Sequence, residues 1–418
     1  MSQGAPGLPG LLGAAVPPWP LPPGEAAVVT AVQAAVDATL ADLAPVNDTD
    51  GRYPTASVAA LKPTGAFALA VPAAYGGPGA SHRASLEVQV RLGAGDSALA
   101  QVFKVHDELV REIFVYCPEQ LRGPLARRIL HEGHVLGLAV AESGARVDTP
   151  RTTVALPQPD GTHRLDGTKI YTTGAAEADE IATWAFDPTV PGVESNPLLG
   201  FRLTLVPRGT PGVTVHRDWD ALGQRATDSG TITFAGVVTP PDWRASEPGR
   251  APLPQNAVRY QAGFAAVLVG IGLGAVRAAV PFVVARSRPW PSADVHTAAD
   301  DPMVRRLTGE LVADLAAAYH ATMATGDLLD AFERGEIDRT QLAVPIYAAK
   351  AVASRAAVRA TSELFALMGT RAAARSVGFD RWWRNARTLS LHDPVDWKHA
   401  EIGQHVLTGW DPPPGIYQ

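Results

Sequence analysis

The apolar residues change their spacing twice along the chain, and few folds accommodate that order. From Glu25 the spacing is helical: Val28, Val32, Val36, Leu40 and Leu43 recur at near four-residue intervals until Pro45, which is expected to stop the run. The same spacing predicts helices over Ser57–Lys62, Ser85–Leu92 and Ser97–Tyr116, the last capped by Asp96. Near Leu136 the character changes. GLAVA, TTVAL, HRLDGTKIYTT, EIATWAF, FRLTLVP, VTVHRDWD and GTITFAGVV are short, rich in β-branched residues and separated by turn residues, as strands are. Pro159-Asp160-Gly161 reads as the turn of a hairpin joining two of them.

After Pro254 helical spacing returns and lengthens. Asp301-Pro302 suits a helix start, and Val304, Leu307, Leu311, Leu315, Tyr319, Met323 and Leu329 then trace one apolar stripe. Ala343 to Met368 is so rich in alanine that neighbouring helices could approach closely. The expected fold is therefore α+β. A flexible Pro/Gly-rich arm (1–24) precedes an N-terminal helical domain (25–135), a central β-barrel or sandwich domain (136–250), a C-terminal four-helix bundle (251–408) and a short tail (409–418).

Composition narrows the function. A net charge of −6 and no polybasic tail argue against a nucleic-acid binder. The single cysteine, Cys117, excludes a disulfide framework or cysteine-built metal site within one chain, favours a reducing cytoplasm, and reads best as a small buried apolar residue. Phe264 to Ala285 is apolar enough to suggest a membrane span, but Arg277 at its middle points to a buried bundle helix instead. The N-terminus lacks the pattern of a signal peptide. No G-x-G-x-x-G follows a strand, and P-loop, G-x-S-x-G and H-E-x-x-H motifs are lacking.

Four segments in order then resemble the acyl-CoA dehydrogenase superfamily: Leu61–Ser81 with its Tyr-Gly-Gly, Gly137–Asp148 with Glu142, Leu165–Asp179, and Asp218–Pro240. The match runs over nearly the whole chain after residue 25. RWWRNARTLSLHDPVDWKHAEIGQHVLTG (Arg381–Gly409) resembles the dibenzothiophene-monooxygenase branch. That resemblance implies a two-component monooxygenase: a separate flavin reductase supplies reduced FMN, and dioxygen then oxygenates sulfur, nitrogen or carbon in a small apolar substrate. It also implies a homo-oligomer, a dimer of dimers, with shared flavin sites.

Carried over residue by residue, the resemblance places Thr173 beside the reactive edge of the flavin, with Tyr171 stacking on the ring and Thr172 adjacent. Adjacent threonines also simply suit a strand. His392 and Asp393 stand where dehydrogenases hold a Tyr-Glu pair. The shorter acid, followed by Pro394, disfavours proton abstraction from an acyl thioester, whereas an imidazole can hold or pass a proton near neutral pH. His392 is thus the expected catalytic histidine, with a surface or helix-end histidine as the plain alternative. His106 matches a histidine on the substrate side, although a lone helical histidine is more often structural. Leu138 and Trp219 complete the expected substrate wall. His399 and His405 read as solvated.

LFALMGTRAAA keeps only Gly369 of a glycine-rich adenine-binding turn, which favours FMN over FAD. Arg286 and Arg288 stand where relatives hold the flavin phosphate, often across a subunit boundary; guanidinium forks suit that anion, and solvated helix-end arginines are the alternative. Arg146-Val147-Asp148 replaces Gly-Ser-Asp and removes a hydroxyl near the thioester tail. The competing functions are a FAD-containing acyl-CoA dehydrogenase or nitroalkane-oxidase-like enzyme with Asp393 as base, and a catalytically silent binding protein on the same fold.

Overall fold

The computed structural model describes residues 13–144, 153–250 and 253–415. The N-terminal helices are α1 (Pro23–Ala35), α2 (Ala41–Asp50), α3 (Thr55–Leu61), α4 (His82–Gly93), α5 (Ser97–Tyr116) and α6 (Glu119–His131). Asp96 caps α5 as expected, accepting from the backbone N–H groups of Ala98 and Leu99. Pro45 does not stop the first run. A π-helical turn over Val36–Leu40 joins α1 to α2, and Pro45 lies inside α2, where its ring is accommodated on the exposed side. Helix α6 is not among the expected elements, and Pro124 lies inside it. Before α1, the described end of the arm lies against the bundle. The Trp19 N–H donates to the Tyr319 hydroxyl at 3.2 Å, and Arg83 donates to the Pro20 carbonyl at 2.8 Å.

All seven expected strands form: β1 (Leu136–Ala139), β2 (Val154–Pro157), β3 (His163–Lys169), β4 (Glu180–Phe186), β5 (Phe201–Pro207), β6 (Val213–His216) and β7 (Thr231–Thr239). They make one connected sheet in the order β1-β4-β2-β3-β7-β6, with β5 also paired to β4. The β2–β3 hairpin closes at Gly161, whose positive φ explains the glycine. A buried ion pair fastens the sheet, the Lys169 ammonium lying 2.6 Å from Glu142.

The C-terminal helices are α7 (Asn256–Arg286), α8 (Pro302–Glu333), α9 (Arg339–Met368), α10 (Asp380–Ser390) and α11 (Val395–Thr408). Asp301 caps α8, and Asp338 with Gln341 forms a capping box on α9. Helix α7 is the axis of the molecule. It is long and apolar enough to cross a membrane, yet most of it is buried among α4, α9 and α10, and Arg277 pairs with Asp37 on the π turn. The α4 and α7 backbones touch: a Cβ on Gly270 would stand 2.4 Å from the Val90 carbonyl oxygen, and one on Gly93 2.8 Å from that of Val267. One apolar core joins the N-terminal helices to the bundle, a second lies between α5, α6 and the sheet, and a third fills the sheet's other face. Cys117 is buried at the end of α5.

Candidate active site between the sheet and the bundle

Helix α5 touches both halves of the site. Val102 lies beside Gly174 of the loop after β3, and two residues later Lys104 reaches α7 across Phe264. The loop is built from hydroxyls. Thr172 is buried and donates to the Gly230 carbonyl at 2.8 Å, while the half-buried Thr173 shares a 2.9 Å hydrogen bond with Ser229, itself bonded to Thr227. The Leu138 N–H donates to the Thr173 carbonyl at 3.1 Å, which ties β1 to the loop. Tyr171 adopts a left-handed backbone (φ +54°) and remains 64% exposed, with its ring edge-on to Trp219 at 5.9 Å. An exposed aromatic held in that conformation presents a flat apolar face beside two hydroxyls. Trp219 thus flanks Tyr171 on the sheet side, and its indole N–H donates to the Gln224 carbonyl.

Asn385 joins the halves. It accepts from the Gln224 N–H at 2.6 Å and donates to the Ser97 hydroxyl at 2.8 Å, so the β6–β7 connection, α10 and the start of α5 share one buried amide. Sequence reading did not single it out.

On the bundle side, His392 lies in the turn between α10 and α11. Its ring packs at a tilt on Phe264 with centroids 4.0 Å apart, and the residue remains exposed. Crowding by protein, then the positive charges of Lys104 and Lys350, push its pKa down to about 3. The shift favours the neutral ring at physiological pH. Asp393 is buried and engaged: Gln261 donates to its Oδ2 at 2.9 Å and the Lys398 ammonium lies 3.3 Å from the same oxygen. Lys104 pairs with Glu108 at 2.9 Å. Lys350 on α9 is wholly buried, and its Nζ has no hydrogen-bond partner among the described residues; burial lowers its pKa to about 7.

His106 is the clearest correction. Its ring is fully buried, Nε2 donates to the Phe67 carbonyl at 2.8 Å, and Nδ1 accepts from the Leu136 N–H at 3.0 Å. That tautomer is the one in which both bonds are satisfied. Both nitrogens are spent on main chain, so His106 neither meets substrate nor moves protons; it fastens α5 to β1. Leu138 is half-buried against the core between α5 and the sheet. His399 is exposed, whereas His405 is held by the Trp410 carbonyl at 2.8 Å. Arg146, Val147 and Asp148 lie outside the described residues.

Arg286 and Arg288 are exposed at the far end of α7, next to the turn at Gly369: Ser287 donates to the Leu367 carbonyl, and Arg371 to that of Arg286. From Phe264, beside His392, to Arg286 the helix advances roughly 33 Å at 1.5 Å per residue. One chain therefore does not bring these arginines to its own Thr173 and His392.

Comparison with known proteins matches three family models in the expected order: the acyl-CoA dehydrogenase N-terminal domain over residues 22–130, the middle domain over 137–237 and the C-terminal domain over 262–397. The dibenzothiophene monooxygenase of Rhodococcus qingshengii is 32% identical over 88% of this chain and 90% of its own length. The chain belongs to the acyl-CoA dehydrogenase family. A probable FMNH2-dependent monooxygenase, SfnC of Pseudomonas putida, is likewise 32% identical, over 88% of this chain and 92% of its own. FMN-bound TdsC from Paenibacillus sp. A11-2 superposes with a TM-score of 0.87 at 31% identity, covering 94% of this chain and all of TdsC. Within the acyl-CoA dehydrogenase family the likeness thus falls on monooxygenases, and the loop and turn described above lie in the matched middle and C-terminal domains.

Proposed function

We propose that the chain is a two-component monooxygenase that uses reduced FMN and dioxygen to oxygenate a small, largely apolar substrate. The observation that carries this reading is the state of the Leu391–Pro394 turn. Asp393, the only carboxylate of that turn, is committed to Gln261 and Lys398, while the His392 ring is open. A carboxylate so engaged is a poor base for the proton next to a thioester, which disfavours the dehydrogenase reading. The hydroxyl loop and the exposed Tyr171 ring fit a planar, hydrogen-bonding tricycle. Thr173 would hold its polar edge, Tyr171 and Thr172 its flank, and His392 the opposite side.

Reduced FMN, when bound, supplies the electrons that activate dioxygen. This chain's own part is positioning and solvent control. Thr173, oriented by Ser229, offers one directed hydroxyl. His392, kept neutral, donates or accepts a hydrogen bond without introducing charge, and Phe264 fixes the plane of its ring. Leu138 lines an apolar wall beside the loop. A flavin reductase is the expected partner, delivering free reduced FMN. A homo-oligomer, a dimer of dimers, would let Arg286, Arg288 and the Gly369 turn of one copy reach the FMN phosphate of another. The cytoplasm, where reduced flavin is made, is the expected location.

The test is oxygenation with labelled dioxygen. Protein, reduced FMN and an unrelated reductase are incubated with dibenzothiophene, indole, a panel of thioethers and a set of small carboxylates and sulfinates, and products are weighed by mass spectrometry. One labelled oxygen in a product supports the reading, and Thr173→Val and His392→Phe should each reduce its yield at least tenfold. Hydrogen peroxide alone with every compound would refute it, as would tightly held FAD bleached by an acyl-CoA under anaerobic conditions.

A further inference from the structure

Lys350 is the cation that the proposed chemistry does not use. It is the only charged residue between Arg339 and Arg355, it is wholly buried, and its Nζ faces the Phe264 ring at 4.9 Å without a hydrogen-bond partner among the described residues. Its neighbours are committed. Lys104 is paired with Glu108, and Lys398 with Asp393 and Glu401. Asp393 acts on Lys350 only through space. A buried ammonium lacking an acceptor is costly, and an aromatic face offsets only part of that cost. On the solvent side the same Phe264 ring is packed by the exposed His392.

We propose that Lys350 anchors an acidic headgroup of the substrate, so that the molecule oxygenated is a small organic oxyanion, a carboxylate or sulfinate, and not a neutral hydrocarbon-like compound. This rests on the monooxygenase reading and specifies the substrate class of that same site. A neutral apolar ligand would give the ammonium nothing, whereas an oxyanion makes a charge-assisted hydrogen bond with it. The surroundings of Gly263, next to Phe264, are polar. Glu108 Oε1 and Gln89 Oε1 lack partners and gather about Gly263, 2.6 and 2.9 Å from where a Cβ would stand. These acceptors repel an anion and leave the Lys350 side as the attractive end. The titratable groups facing this space are Lys104, Glu108, Lys350, His392, Asp393 and Lys398.

Calorimetric titration of the full chain, with and without saturating FMN, compares benzenesulfinate with methyl phenyl sulfone, a neutral molecule of nearly the same shape. Wild type should bind the sulfinate about ten- to a hundredfold more tightly. Lys350→Met should erase that preference while leaving the sulfone affinity within about twofold, and Lys350→Arg should keep part of it. At pH 8, in two buffers of different ionisation enthalpy, sulfinate binding should take up a proton in wild type and none in Lys350→Met. Should Lys350→Met fail to fold, Lys350→Gln is read by the same criteria. Equal affinities in wild type, a preference that survives in the variants, or binding of neither probe would overturn the inference. The two ideas fail separately. Anion binding without oxygenation would remove the monooxygenase reading, and oxygenation of neutral thioethers indifferent to Lys350 would remove this one.

Discussion

Replacing His106 by glutamine should flatten the acid side of the stability curve without touching catalysis. Unfolded, this ring titrates near its ordinary value of 6.5; folded, its pKa falls to about 4, first because burial strips away water, with the Phe67 carbonyl and Asp107 opposing. The folded value is the depressed one. The contribution to stability is therefore complete above pH 6.5 and is lost as the pH falls toward 4. Between pH 7.5 and 4.5 a single group so shifted costs roughly 2–3 kcal/mol, at about 1.36 kcal/mol per pK unit. Glutamine keeps an amide able to serve one of the two main-chain partners, so at pH 7.5 the variant should lose only about 1–3 kcal/mol. Urea unfolding at fixed protein concentration, in half-unit pH steps, reads both effects. His82 and His163 are also depressed, but they are present in both proteins and cancel in the comparison. Wild-type and variant curves that run parallel down to pH 4.5 would refute the reasoning. A variant with unchanged stability and lost oxygenation would return His106 to the substrate side.

Asn385→Ala strands the Gln224 N–H and the Ser97 hydroxyl in a buried place. It should cost about 1–3 kcal/mol in urea unfolding and weaken FMN binding, while Asn385→Asp, which keeps the acceptor, should lose less of the FMN affinity. Gly270→Ala should destabilise by at least about 1–3 kcal/mol, because its Cβ would stand 2.4 Å from a backbone oxygen. Gly309→Ala on α8, with nothing within 4 Å, should be stabilising by about 0.5–1 kcal/mol; thermal melts that rank the two in reverse would contradict the packing argument. Cys117, buried and with its thiol pushed up to about 11, should resist thiol reagents at pH 8 until the protein unfolds.

The order helices, sheet, helices was legible because the period of burial changes with the element, and β4, β5 and α5 fall on their expected residues. Local breakers misled. Pro45 lies within α2 with its ring exposed, and Pro124 lies within α6 beside the buried Leu125, Ala126 and Ile129. At the site, the Thr172-Thr173 loop meets α5 next to Val102, and His392 packs on Phe264, which Lys104 of α5 covers. The roles of individual residues were harder to read. A histidine on an apolar helix looks alike whether it meets substrate or main chain, and only the bonds to Phe67 and Leu136 decide. The lowered pKa of His392 comes first from crowding by protein and then from Lys104 and Lys350, which lie on distant helices. Lys350 itself carries a signal in the sequence: it is the only charge between Arg339 and Arg355, within a run whose alanines suit close helix packing.

The seam where Gly93 meets Gly270 has main chain on both sides and nothing between. Such a joint has no rotamers to exchange and no volume to trade, so its spacing is fixed by van der Waals radii alone. Any change of substrate shape across relatives must then be absorbed elsewhere on α7, by side chains such as Gln261 and Phe264 that project toward the reacting groups. The glycine seam is the fixed datum from which a variable chamber can be cut.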